Sequence, residues 1–174
     1  MRPTMYLMAA LMLVAAAALA ISAGRAAAPP ELQLVNLPCA TNVFAQPLGQ
    51  GMPAAAEGKA LVLTRVTFEP GGSIGPHTHP GTLVQTIESG VFGFTLLHDG
   101  EMSVMRSGDA GTPAVAEPLT VGQEVELTAG DWFVETGMVH SGRSIGDEPA
   151  VVVFAGLFEA GQPGTQCVEG TPTP

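Results

Sequence analysis

A chain of 174 residues carries 16 Asp and Glu against 6 Lys and Arg, a formal net charge of −10. Such a chain is repelled by phosphate backbones and anionic membrane surfaces, which excludes nucleic acid as a partner and leaves cations and small neutral or cationic molecules electrostatically welcome. Acidity that serves only solubility is the plainer reading of the same charge, and the length suits one well-buried domain.

Residues 1–28 read as a secretory signal peptide. Arg2 supplies a short positive region, residues 7–21 are uninterrupted apolar and small residues, and Ala26-Ala27-Ala28 offers an A-x-A cleavage pattern. A helix over those 15 residues spans roughly 22 Å, short of the ~30 Å hydrocarbon core. Cleavage leaves 174 − 28 = 146 residues, a secreted or otherwise extracytoplasmic domain without membrane attachment. The alternative, an uncleaved anchor lengthened by Met5 and Tyr6, also faces away from the cytoplasm.

Residues 29–60 are rich in Pro, Gly, Ala and Gln and predict an extended arm with one short strand near Val43 and Phe44. Residues 61–69 are β-branched and alternating, and Pro70-Gly71-Gly72 predicts a turn. Strands follow over 83–88, 91–97 and 101–106, the last two as a hairpin around His98-Asp99-Gly100. Residues 107–118 lack useful periodicity and read as a surface loop. Strand character resumes over 120–128, 132–134, 139–144 and 151–158, with turns at Ala129-Gly130-Asp131 and at Gly137. No mature segment sustains a helical apolar period, so the fold class is all-β, a barrel or sandwich over residues 61–160 with a tail over 161–174.

Cys39 and Cys167 are the only cysteines and lie near the two ends of the mature domain. An oxidising compartment predicts a disulfide that ties the tail back, worth about 5 kcal/mol in the chain-entropy model. Free thiols are the alternative. Metal ligation is weaker, since neither thiol has a second Cys or a His within a few residues.

Three of the 4 histidines suit a metal site. In His77-Thr78-His79 the two imidazoles share one strand face, because residues two apart do. His140 follows another glycine turn and is the remote third ligand. Neutral imidazole selects a divalent transition metal: Fe, Zn, Ni, Cu and to a lesser degree Mn. His98, in a hairpin turn, is left out.

At this point the chain resembles the cupin superfamily. Gly71, then His77-x-His79, then Gly90 eleven residues after the second His match the first cupin motif, and Gly130-Asp131, Gly137 and His140 echo the second. Gly146-Asp147-Glu148-Pro149-Ala150 is similar to the family's turn into the last barrel strand. The resemblance covers residues 61–158 and implies a cupin-type β-barrel, a double-sheet jelly roll preceded by the extended arm. It also implies a metal held by His77, His79 and His140, and homodimerisation through sheet edges with the arm contributing.

Three positions depart from the pattern. Leu83 stands where the family's metal-binding carboxylate is expected, seven residues before Gly90. Gln85 shares the strand face of His79 and Leu83, so its amide oxygen is a candidate replacement ligand; the alternative is a polar barrel residue bonded to a neighbour or water. Glu135 holds the proline position and Ser144 the asparagine position of the second motif. Glu135 is either a solvated turn residue or a site acid.

Alternation sketches a pocket wall from Leu83, Phe92, Phe94 and Phe154, positions that ordinary barrel core would equally fill. Trp132 reads as core packing or an interface residue. Three-histidine coordination resembles the cupin thiol and diketone dioxygenases, which implies a metal-dependent dioxygenase or related oxidoreductase acting on a small organic molecule. The rival reading is a non-catalytic cupin that binds metal or a small ligand as a sensor or storage module.

Overall fold

β-branched and aromatic runs punctuated by glycine fold as strands throughout the computed structural model, which describes residues 34–98, 100–108 and 114–169. The leader at 1–28 and Asp99 lie outside those residues. In chain order the strands are β1 (Val35–Asn36), β2 (Ala40–Gly51), β3 (Lys59–Thr78), β4 (Gly81–Ser89), β5 (Val91–Leu96) and β6 (Ser103–Arg106). They continue as β7 (Val115–Pro118), β8 (Glu124–Thr128), β9 (Trp132–Thr136), β10 (His140–Ser144), β11 (Ala150–Glu159) and β12 (Gln166–Cys167). Every ladder is antiparallel, in the order β7-β6-β9-β4-β11-β3-β10-β5-β8, with β2 and β12 also paired to β3. The all-β expectation holds.

Strand β3 organises the fold, and it corrects one expectation. Pro70-Gly71-Gly72 does not end the strand; it bends it. Residues up to Phe68 pair with β11, and from Ser73 onward the strand pairs with β10. One chain segment therefore crosses from one side of the curled sheet to the other. Gly71 takes φ +73°, and a Cβ on Gly72 would stand 2.5 Å from the Asn42 carbonyl oxygen, so the bend is built for glycine.

The predicted hairpin of β5 and β6 is also absent. β5 pairs with β10 and β8, while β6 pairs with β7 and β9. The two strands part because each finds its partners elsewhere in the sheet. Part of the predicted surface loop at 107–118 is strand β7. The arm is no free extension either: β2 lies along β3 for most of its length.

Alternation then sorts the faces. Phe92, Phe94 and Leu96 of β5, Leu127 of β8, Phe133 of β9 and Val152 of β11 all point inward and are buried. The core encloses one end of a cavity, and the histidines stand at its wall.

Candidate metal centre

His77 lies one residue before the end of β3, and His140 opens β10 directly opposite it in the ladder. Cross-strand partners project to one face, and their ring centroids are 4.2 Å apart. His79 follows two residues after His77 on the same face, in the tight connection to β4 where the Gly81 amide donates to the His79 carbonyl at 2.9 Å. One ring nitrogen from each histidine lies within 4.8 Å of the other two. The sequence pattern required this convergence, and the ladder supplies it.

All three rings are oriented by backbone carbonyls. Nδ1 faces Gly75 O at 2.9 Å in His77, Gly164 O at 2.6 Å in His79 and Met138 O at 3.1 Å in His140. A carbonyl only accepts, so each Nδ1 carries the proton and each Nε2 keeps its lone pair. Burial holds the rings neutral. It lowers the His77 pKa to about 4, aided by the neighbouring His79, and lowers His79 as well. His140 is pushed well below the ordinary value by burial and then by His77 and His79. Three neutral imidazoles sharing one pocket are the protonation state that a transition metal needs.

Glu135 stands beside them, buried to 1% exposure. It is not a solvated turn residue but the cross-strand partner of Leu83, so the two side chains enter the interior together. Its Oε2 lies 3.2 Å from His140 Nδ1 and accepts from Gln85 Nε2 at 3.3 Å. Its Oε1 lies 3.6 Å from His79 Nε2. Burial raises its pKa to about 8, against the opposing pull of the Gln85 hydrogen bond. Among the described residues Oε1 has no hydrogen-bond partner. The metal-free carboxyl holds its proton up to about pH 8; once ionised, its oxygen and the Nε2 lone pair are two acceptors facing one another, an arrangement that a cation between them would resolve.

Three nitrogens bound at ~2.1 Å in a tetrahedral site lie about 3.4 Å apart. Those of the triad lie within 4.8 Å of one another, so ring rotations that move them by an ångström or so bring them onto one ion, and the residues present fit a metal. The adjoining cavity, about 60 Å³, is lined by Gln85, Phe92, Phe94 and Phe154 among others. Leu83 is buried at 1% exposure and is not on that wall. A wider groove of about 460 Å³ shares Leu37, Ala45, Thr64, Phe154 and Thr165 with it. The arm and tail residues were not legible as pocket wall, because nothing local marks them.

The model of the family described as Cupin matches residues 54–168. The chain belongs to the cupin family. The three histidines of this cupin are thus positioned to hold a metal, and a disulfide joins Cys39 to Cys167. Among solved structures, L-ribose isomerase from Cellulomonas parahominis with L-ribose is similar at 18% identity and TM-score 0.52, covering 74% of this chain and 70% of the isomerase. The polyketide cyclase RemF from Streptomyces resistomycificus is similar at 18% identity and TM-score 0.44, covering 79% and 80%. A cupin-like protein from Thermotoga maritima matches at 21% identity and TM-score 0.39, covering 77% and 81%. Likenesses at these identities speak to the fold alone. No curated protein matches the sequence.

Proposed function

We propose that this cupin is exported and uses His77, His79 and His140 to hold one divalent transition metal, Fe, Mn, Zn, Ni or Cu, as a dioxygenase or related oxidoreductase acting on a small organic molecule. The observation that carries the reading is the triad itself: three buried rings, each with Nδ1 committed to a carbonyl and Nε2 free. A redox-active ion bound there supplies the electron chemistry of oxygenation. The protein's own part is to keep the ligands neutral, to place the Glu135 carboxylate beside His79, and to exclude water with Phe92, Phe94 and Phe154. Gln85 turns its amide nitrogen to Glu135, so we assign it to supporting that carboxylate, which is the better fourth donor. The disulfide supports export, since oxidising compartments are where such bonds persist.

Metal analysis of untagged protein should find close to one ion per chain, and His77→Ala or His140→Ala should abolish it. Metal retained by both variants would sink the proposal. Oxygen consumption across thiols, diketones and phenols, with iron restored, then tests the reaction class. The non-catalytic reading draws support from the inner cavity: about 60 Å³ is small beside the ~300 Å³ or more of an ordinary ligand pocket, so a larger organic ligand must extend into the outer groove. Metal binding with no oxygen uptake on any substrate would favour that rival.

We also propose a homodimer. Val134, Val84, Ala155 and Leu63 form one cross-strand row on the outer face of β9, β4, β11 and β3. Val134, Val84 and Leu63 are exposed.

A further inference from the structure

The partners of the three Nδ1 atoms differ in origin. Gly75 and Met138 each lie two residues before the histidine they orient, so β3 and β10 carry their own supports. His79 is different. Its carbonyl comes from Gly164, 85 residues away, at the shortest of the three distances, 2.6 Å.

We infer that Gly164 is a positioning residue for His79, and that the Cys39–Cys167 disulfide secures it, so that metal affinity depends on that bond. The inference rests on the reading that the triad holds an ion. His79 packs against Phe158 with the rings 5.8 Å apart and 2° from parallel. Such stacking fixes the plane of the imidazole but is indifferent to a half-turn about the Cβ–Cγ bond, which returns the ring to the same plane. The half-turn exchanges Nε2 with a carbon and removes the lone pair from the metal side. Glu135 Oε1 stands 3.6 Å from Nε2, beyond hydrogen-bond reach, so among the described residues the Gly164 carbonyl is the hydrogen-bond partner that distinguishes the two orientations, because it must meet an N–H.

What keeps Gly164 in place is slight apart from the disulfide. The segment after β11 returns over Phe158 and joins β3 through β12, which pairs only Gln166 with Thr78 and Cys167 with His77. The Val168 amide adds one bond to Pro76 O at 2.9 Å. A two-residue ladder is weak by itself. The disulfide anchors it across a sequence separation of 128 residues. On the other side, the Cys39 carbonyl accepts from the Gly75 amide at 2.9 Å. The bond therefore clamps the arm and the tail onto the end of β3, which carries His77 and leads directly into His79. His77 keeps its local carbonyl when the clamp opens, whereas His79 loses its only one.

The test uses the full metal-free chain and cobalt(II) as the probe. Oxidised wild type is compared with Cys39→Ser/Cys167→Ser, read by cobalt absorption for affinity and by imidazole nitrogen NMR for each histidine's tautomer. Loss of an outer support of a metal-bound His costs about 10- to 100-fold in affinity. We expect a rise in Kd of that size, with the protonated Nδ1 signal of His79 lost while those of His77 and His140 persist. Reducing the folded wild type gives the same comparison should the double variant fold poorly. Unchanged Kd with the bond cleaved, or simultaneous loss of all three signals, overturns the inference. Failure of oxidised wild type to bind cobalt overturns the metal reading instead; the His79 signal before and after reduction then still decides whether Gly164 and the disulfide orient that ring.

Discussion

Glu135 brings an unpartnered carboxylate oxygen to 3.6 Å from His79 Nε2, while its partner across the ladder, Leu83, offers only carbon. Burying a polar atom without a partner costs about 1–3 kcal/mol. Glu135→Leu removes that cost but strands the buried Gln85 amide that donated to Oε2, so the stability of the metal-free protein should change little in denaturant titrations, while metal affinity falls by at least tenfold. Leu83→Glu combined with Glu135→Leu moves the carboxylate to the facing strand and should restore much of the affinity, measured by the same metal titration. Equal affinity in wild type and Glu135→Leu would leave the carboxylate without a role at the ion. At this scale the sequence showed the gap at Leu83 but not what fills it. Glu135 lies 52 positions further on, and its neighbourhood to Leu83 exists only in the register of β4 with β9.

The strands are held in that register by polar turns as much as by apolar faces. Asp131, at the Gly130-Asp131 turn before β9, accepts from the Ser107 amide at 2.8 Å, the Thr128 amide at 2.9 Å and Arg106 Nη1 at 2.9 Å. Burial works to raise its pKa, but the bonds from Thr128, Ser107 and Arg106 outweigh it and hold the carboxyl below its ordinary value. A depressed carboxyl stabilises the fold above its unfolded pKa of about 3.9, and that contribution is lost as pH falls through the lower folded value. Thermal melts from pH 6 down to pH 2 should show Asp131→Asn less stable than wild type at the upper end, with the difference beginning to shrink at about pH 4 and disappearing as pH passes the lower folded value. A pH-independent difference would assign the loss to packing. The Gly-Asp turn was legible in sequence, since two turn residues act locally. The bend at Pro70-Gly71-Gly72 was misread because the same residues serve a turn or a kinked strand, and only pairing partners on both sides decide between them.

Across the whole molecule, charge and apolar surface separate. Lys59, Arg65, Arg106 and Arg143 each pair with a carboxylate, so the surplus of acid is left to solvent and cations. The row of Val134, Val84, Ala155 and Leu63 interrupts that surface. Light scattering should find a dimer, and Val84→Glu with Val134→Glu should convert it to monomer without changing metal content; a monomeric wild type would remove this interface. Arm and tail meet beside the end of β3, where Cys39 and Cys167 join.

By itself the sequence determined the all-β class and the two histidine-bearing motifs, and it predicted the pairing of its only two cysteines, which the structure joins. These rest on alternation, glycine punctuation and residue chemistry, which act over a few positions or leave no alternative partner. Tertiary structure alone decided that β5 and β6 part company, that Glu135 stands opposite Leu83, and that a carbonyl from the tail orients His79. Each of those depends on which segments the curled sheet brings side by side, and side-by-side placement comes from burying many apolar faces at once, a sum that no local stretch of sequence contains.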